Sequence, residues 1–488
     1  MQTEIARARV EESRLKKSLS LPEVIIYGVG IILGAGIYAL IGTTAGIAGN
    51  TLWLSFVLAA VIASFSALSY AELTSLFPKC AAEFVYTKRA TKSIFLAFGV
   101  GYIAVISVII SSTTVAVGFG GYFEALTGFP VIFSAAILIL LLSILNWYGI
   151  KESAKFNIIS TVIEAGGLVL IIVIGLAMIS FGGLALPNLF EFPGEPANAA
   201  EMFSPIFAAA AIIFFAFLGF EDIANISEET KNAKVNIPIG LLAAVAITTV
   251  IYVLVAVVSV SAVPYAVLGE STAPLADVAS ALGGESFGIL SGNLLGIIAL
   301  FATANTVLIL LIVASRMFYG MAKEKSLPAI FGKVDKKRGT PVIAIIFVLL
   351  LSALLLFGVS DKQVDDENKN TLPENADEKS DSLLSTLASL TNFGVFIIFF
   401  SVNASLIILR FTEPGIERPF KVPFSIGKVP LLPLLGALFC LYMLTHITGN
   451  ATIFGFELPI VLLGIILYLT FIPVYLIFVR PPFRNAIK

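Results

Sequence analysis

Hydrophobic residues in this chain come in long blocks rather than in stripes. Twelve blocks read as helical spans, at residues 22–48, 51–76, 94–121, 130–149, 153–181, 203–227, 237–263, 286–320, 341–360, 383–411, 430–447 and 456–479. Each is close to or above the roughly 20 apolar residues that a bilayer crossing takes, and the longer ones imply tilt or extension past the bilayer. Polar connections separate them. The stretch 360–382 is acidic and free of aromatics, and reads as a flexible insertion. Residues 270–282 carry helix-compatible residues and read as a short surface helix.

Two of the blocks are weakened from within. The first, Pro22–Asn50, holds glycines at 28, 30, 34, 36, 42, 46 and 49, and Gly34-Ala35-Gly36 falls near its middle. Two readings stand side by side: an interrupted helix whose backbone lines a cavity, or small residues that let two helices pack closely. The sixth block, Pro205–Ile226, places Gly219 at mid-membrane with Glu221 and Asp222 directly after it. Charge at that depth is costly and is tolerated beside water or a partner. Blocks one and six are the corresponding first members of two five-span halves. Interruptions at matching positions are the sequence mark of a binding site in an inverted-repeat transporter.

Composition fixes the compartment. Of 488 residues, 58% are hydrophobic and 13% charged, and the mean hydropathy is +0.99. That is a polytopic protein of the lipid bilayer. The net charge of −2 points to neither nucleic acid nor an acidic partner. Two distant cysteines, Cys80 and Cys440, and a single histidine, His446, argue against a disulfide framework, a metal site or a histidine relay. Residues 1–21 are polar and basic without a cleavable leader, so the first span serves as its own signal. With the N-terminus cytoplasmic, Lys and Arg gather on one side: Lys79 to Lys92, Lys151 and Lys155, Lys231 and Lys234, the run 323–338, residues 410–428, and Arg480 to Lys488. The other side holds Lys362, Lys369 and Lys379, all in the acidic insertion. The distribution puts both termini in the cytoplasm. The sequon Asn450-Ala451-Thr452 then lies outside.

Four elements, in order, resemble the amino acid permease branch of the amino acid–polyamine–organocation superfamily. They are GVGIILGAGIYALIG in span one, SYAELTSLFPKCAAEFVYTKRA at Ser69–Ala90, FFAFLGFEDIANISEETKNAKVNIPIG at Phe214–Gly240, and SRMFYGMAKEKSLPAIFGKV before Thr340-Pro341. The chain departs from the family pattern at Ala81-Ala82, where two glycines are usual, at Phe84, where Tyr is usual, and in its longer insertion. The resemblance implies an all-α integral membrane protein of about 12 helices with a LeuT-type 5+5 inverted repeat and broken helices one and six. The expected divisions are a cytoplasmic segment 1–21, a first repeat 22–181, a second repeat 203–411 that carries the insertion, and 430–488 with the last two spans.

What the resemblance implies for function is a secondary transporter moving amino acids by alternating access. The substrate α-carboxylate would meet free N–H groups around Gly34, Ala35 and Gly36, where a broken helix offers donors and a positive dipole end. Carbonyls of Ile31, Ile32, Phe215, Ala216 and Leu218 would hold the α-ammonium. Pocket walls would include Phe220, Ser112, Thr113 and Asn305; ordinary aromatic packing for Phe220, and interhelical hydrogen bonding for the other three, are the competing readings. Matching span five to proton-coupled relatives puts Glu164 where those carry a lysine. Glu164 lies about 11 residues into its span, near the bilayer centre, where an ionised carboxylate costs roughly 2.5–3.5 kcal/mol. It is expected to couple a proton or to stand as a neutral acid bonded between helices. Glu221 and Asp222 read as an inner gate, a wetted vestibule or a contact for a cationic substrate. Glu72 and Arg316 read as members of ion pairs.

No cofactor is expected; a proton is the candidate coupling ion, ahead of sodium. The expected partners are an amino acid and the lipid of a plasma membrane, with no nucleic acid and the oligomeric state open. Exchange, uniport, carriage of polyamines or cationic amino acids, and non-transporting sensing are the alternatives. A channel would want a continuous polar lining, and an enzyme a metal motif or a nucleophile with its base.

Overall fold

The apolar blocks become helices because inside a bilayer every backbone N–H and C=O must be satisfied within the segment. The computed structural model describes residues 15–192, 198–271, 274–283, 285–360, 383–445, 450–453 and 456–479. Residues 1–14, most of the acidic insertion, His446 and the basic C-terminal residues from 480 lie outside them. In order, the first helices are α1 (Leu21–Ala48), α2 (Leu52–Leu76), α3 (Ala82–Thr91), α4 (Ile94–Thr127), α5 (Val131–Tyr148), α6 (Ile150–Ser180) and α7 (Ala199–Ile213). Two 3-10 segments, Phe214–Phe217 and Phe220–Glu229, continue α7. Then come α8 (Ala233–Ala262), α9 (Tyr265–Glu270), α10 (Pro274–Gly283), α11 (Glu285–Lys323), α12 (Val342–Ser360), α13 (Leu383–Thr412), α14 (Leu431–Leu444), α15 (Ile460–Leu469) and α16 (Phe471–Phe478).

Ten helical segments among the described residues are long and apolar enough to cross a membrane, and two shorter apolar helices, Val342–Phe357 and Leu431–Leu444, fall at the expected ninth and eleventh spans. The surface-helix expectation at 270–282 corresponds to α9 and α10, which pack on α1. Three features depart from the expected order. The connection after α2 is itself helical, as α3. Two short antiparallel hairpins, β1 (Ser425–Ile426) with β2 (Val429–Pro430) and β3 (Asn450–Ile453) with β4 (Phe456–Pro459), interrupt an otherwise helical chain. The sequon falls in β3. The last span is not one helix from 456: it starts after β4 and breaks at Thr470. Pro473 accounts for the break, since it brings no N–H and its ring clashes with the carbonyl four residues back.

Burial sorts the helices into a centre and a rim. In α11 the apolar window is 83% buried, against 17% in the final span. Helix α6 packs on both α11 and α1, α4 on α11, and α7 and α8 on α1. On the rim, Leu141 of α5, Val162 of α6 and Leu354 of α12 are more than half exposed, an apolar surface suited to lipid.

One end of the bundle is tied together by charge. Arg316 of α11 donates to both carboxylate oxygens of Glu229 at 2.9 and 3.0 Å, and to Asn146 Oδ1 at 2.6 Å. Glu72 of α2 accepts from Arg410 at 2.5 Å, from Arg418 at 2.6 Å and from the Val422 N–H at 2.7 Å. Glu72 and Arg316 thus join ion pairs, as read from the sequence, though with different partners from one another. The N-terminal segment docks at the same end. Ser18 and Leu19 donate their N–H groups to Glu229 O, and the Lys231 N–H donates to Leu19 O. The Ser20 N–H and hydroxyl both donate to Glu23, which starts α1 in a capping box.

Candidate functional site

A cavity of about 110 Å³ lies where the two weakened helices face each other. In α1, Gly34 leaves helical geometry (φ −1°, ψ −161°). In the sixth span, Leu218 is extended (ψ 149°) and Gly219 takes φ +113°, which L side chains rarely adopt. A Cβ on Gly219 would also stand 2.8 Å from the Ile31 side chain. A Cβ on Gly36 would stand 2.9 Å from the Ala216 backbone, so only hydrogen lets the two broken segments touch. Both readings of the glycine-rich first span are therefore realised: it is interrupted at Gly34 and closely packed at Gly36.

Ile31, Ile32, Gly34, Gly36, Phe215, Ala216 and Leu218 line the cavity, and Ala35 sits between the two glycines in the chain. The freed carbonyls are not all open. The Tyr252 hydroxyl of α8 lies 2.5 Å from Ile32 O and 3.1 Å from Ala216 O, and so bridges the two interruptions. Nothing in the hydrophobic pattern marked Tyr252. Its signal is a phenol in the middle of an apolar span, which in lipid must find an acceptor.

Four expected wall residues stand elsewhere. On α4 the cavity meets Ala104, Ser107, Val108, Ser111 and Val115, the face that a 3.6-residue period selects. Ser112 and Thr113 fall off that face, and their hydroxyls donate back to Ile109 O at 2.9 and 3.0 Å. Phe220 is fully buried behind the wall, 5.2 Å between ring centroids from the cavity-lining Phe399 and edge-on to Tyr70 at 6.0 Å. Asn305 belongs to a buried polar knot: it accepts from Asn157 Nδ2 at 2.9 Å and donates to Thr161 Oγ1 at 3.2 Å and Gly30 O at 3.5 Å. Its neighbour Thr306 faces the cavity instead.

Glu164 also lies off the cavity. It is fully buried in α6, and neither carboxyl oxygen has a hydrogen-bond partner among the described residues. The Tyr38 hydroxyl of α1 is likewise buried without a hydrogen-bond partner among the described residues.

Towards the charge-tied end the cavity becomes acidic. Glu221 and Asp222 line it, as does Glu83 from α3. Glu221 accepts the Gly219 N–H at 2.9 Å, folding its carboxylate back over the break. Glu83 accepts from Tyr70 at 3.1 Å and from Asn225 Nδ2 at 3.3 Å, and Asn225 Oδ1 in turn accepts the Ala82 N–H at 3.0 Å. Burial raises the Glu83 carboxyl above the ordinary carboxylate range, against the lowering effect of those hydrogen bonds. Sequence reading passed over Glu83 because it falls between spans. Ala81, one of the alanines standing for the family's glycines, takes φ +55° at the start of α3 and turns the chain so that Glu83 points inward. Among the described residues no group of His, Cys, Asp and Glu could hold a metal ion.

Two interrupted helices facing each other across a small cavity, inside a many-span bundle, define a carrier built around a central site. The chain belongs to the amino acid permease family, whose model matches residues 19–479. It is 30% identical to the branched-chain amino acid permease BcaP of Bacillus subtilis (strain 168), over 94% of this chain and 93% of that one. It is 29% identical to the methylthioribose transporter of the same organism, over 91% and 92%. It is also 29% identical to the vacuolar cationic amino acid transporter 4 of Arabidopsis thaliana, over 82% of this chain and 64% of that one. In structure it is similar to MhsT, crystallised in complex with L-phenylalanine, with a TM-score of 0.58 at 14% identity, covering 89% of this chain and 98% of MhsT. The fold is thus of the LeuT type.

Proposed function

We propose that this permease is a secondary carrier that moves amino acids across the cell membrane by alternating access and is driven by a proton. Both termini are cytoplasmic in this reading, as the distribution of Lys and Arg suggests, and the charge-tied end faces inward. The observation that carries it is the cavity at the two interruptions. Backbone groups of Gly34 to Gly36 and of Phe215 to Leu218 reach a common space there, and they suit the two groups that every α-amino acid shares. Tyr252 holds the interruptions in register by sharing its hydroxyl between their carbonyls. Relatives of similar identity are named for branched-chain, methylthioribose and cationic amino acid transport. Side-chain choice is therefore a matter for each chain's own cavity walls.

Glu164 is the proposed proton carrier. Neither of its carboxyl oxygens has a hydrogen-bond partner among the described residues, and a carboxylate left so in the bilayer costs roughly 2.5–3.5 kcal/mol. Its helix α6 packs on α8, and Tyr252 of α8 bonds to both breaks, which gives protonation a route to the substrate site in this reading. The test is uptake of a labelled amino acid panel into proteoliposomes under an inward proton gradient, a sodium gradient, or no gradient with unlabelled substrate inside. Stimulation by the proton gradient alone, lost in Glu164→Gln while exchange survives, is expected. Full gradient-driven uptake in Glu164→Gln would overturn the assignment, and uptake only against internal substrate would overturn coupling itself.

A further inference from the structure

We infer that the cavity selects amino acids with a cationic side chain, with Asp222 as the group that receives the ammonium or guanidinium. The inference rests on the permease reading, which supplies the position of the α-groups. Its own basis is an imbalance of charge. Three acidic residues, Glu83, Glu221 and Asp222, line the cavity, and among the described residues no Lys, Arg or His does.

Two of the three are already engaged. Glu83 is held by Tyr70 and Asn225, and Glu221 by the Gly219 N–H. Asp222 is 4% exposed and makes no side-chain hydrogen bond or ion pair among the described residues. Arg316, the buried guanidinium on α11, is committed to Glu229, Asn146 and Ser315. A neutral apolar side chain seated in this space would leave the buried Asp222 carboxyl without a partner, which for an ionised carboxylate is costly. A cation returns charge-assisted hydrogen bonds, the strong kind.

The distances agree. Asp222 lies three residues past Gly219 in a 3-10 segment, about 6 Å along its axis. With the α-groups at the breaks, that is the span of a lysine or arginine side chain and beyond the reach of alanine or serine. Glu83 and Asn225 stand one turn further on, and complete an acidic floor beneath the tip.

Arginine and citrulline separate the charge from the shape, because a urea replaces the guanidinium at nearly constant size. The experiment measures the concentration dependence of thermal stabilisation of the full-length protein in detergent by L-arginine, L-lysine, L-citrulline and L-leucine, with counterflow of labelled arginine in proteoliposomes as a second readout. Wild type is expected to favour arginine over citrulline by about 10- to 100-fold. The ratio should fall to near one in Asp222→Asn and persist in Asp222→Glu. Equal affinity for arginine and citrulline in wild type, which needs no variant, overturns the inference and leaves the permease reading standing. A preference that survives in Asp222→Asn overturns the role of Asp222. Failure of all four amino acids to bind removes both readings together.

Discussion

Gly219 shows how much one atom decides in this protein. Its φ of +113° and the 2.8 Å approach of Ile31 leave no room for a methyl group. Gly219→Ala is therefore expected to cost on the order of 1–3 kcal/mol in strain and to close or displace the break. It should lower the unfolding temperature in detergent and abolish uptake together, and normal uptake from an equally stable variant would contradict the geometry. The glycines and the acid pair after them were legible in the sequence because small residues and charge are both conspicuous in an apolar span. Ser112, Thr113, Phe220 and Asn305, read as wall residues or as packing and hydrogen-bonding groups, stand outside the cavity lining. In a helix polar on no face and apolar on all, neither burial nor amphipathicity says which residues turn inward, and a shift of one position rotates a side chain by about 100°. The hydroxyls of Ser112 and Thr113 satisfy themselves on their own helix, as they would on any face.

At the scale of elements, the interrupted sixth span would be unsupported without the ties at its far end. Glu229, its last residue, holds Arg316 of α11 through its carboxylate and the N-terminal segment through its carbonyl. Both side chains are fully buried. Removing the charge of one leaves the other uncompensated, so Glu229→Gln is expected to lose about 3–5 kcal/mol of stability. An unchanged unfolding temperature would show that the pair does not anchor the element. The sequence foretold that Arg316 would be paired, since a charge at that depth must be, but not with what. Glu229 lies 87 residues away along the chain, and the pairing depends on how α11 and the sixth span come to lie side by side. The same holds for Glu72 with Arg410 and Arg418, more than 330 residues apart. Interruptions are local and can be read; partners are tertiary and cannot.

The whole molecule was the most legible scale. Span positions follow from length and hydropathy alone, which is why the helices fall close to the expected blocks. The exceptions are towards the end of the chain, where the last span breaks at Thr470 and the hairpins β1–β2 and β3–β4 intervene between helices. What the sequence could not convey is that the cavity is continuous from the breaks to Glu83, because Glu83 comes from a connection and not from a span. That continuity makes one side of the site polar and acidic and leaves the other, near Ile398 and Phe399 of α13, apolar.

The central claim is that freed backbone groups at the two breaks recognise the α-carboxylate and α-ammonium. The most direct measurement is competition against uptake of one transported amino acid by three compounds: the unlabelled amino acid itself and two close analogues, its decarboxylated amine and the carboxylic acid lacking the α-amino group. Loss of either α-group is expected to weaken competition by about 10-fold or more, because each removes a charge-assisted contact with backbone. An amine or an acid that competes as well as the intact amino acid would place recognition somewhere other than the breaks.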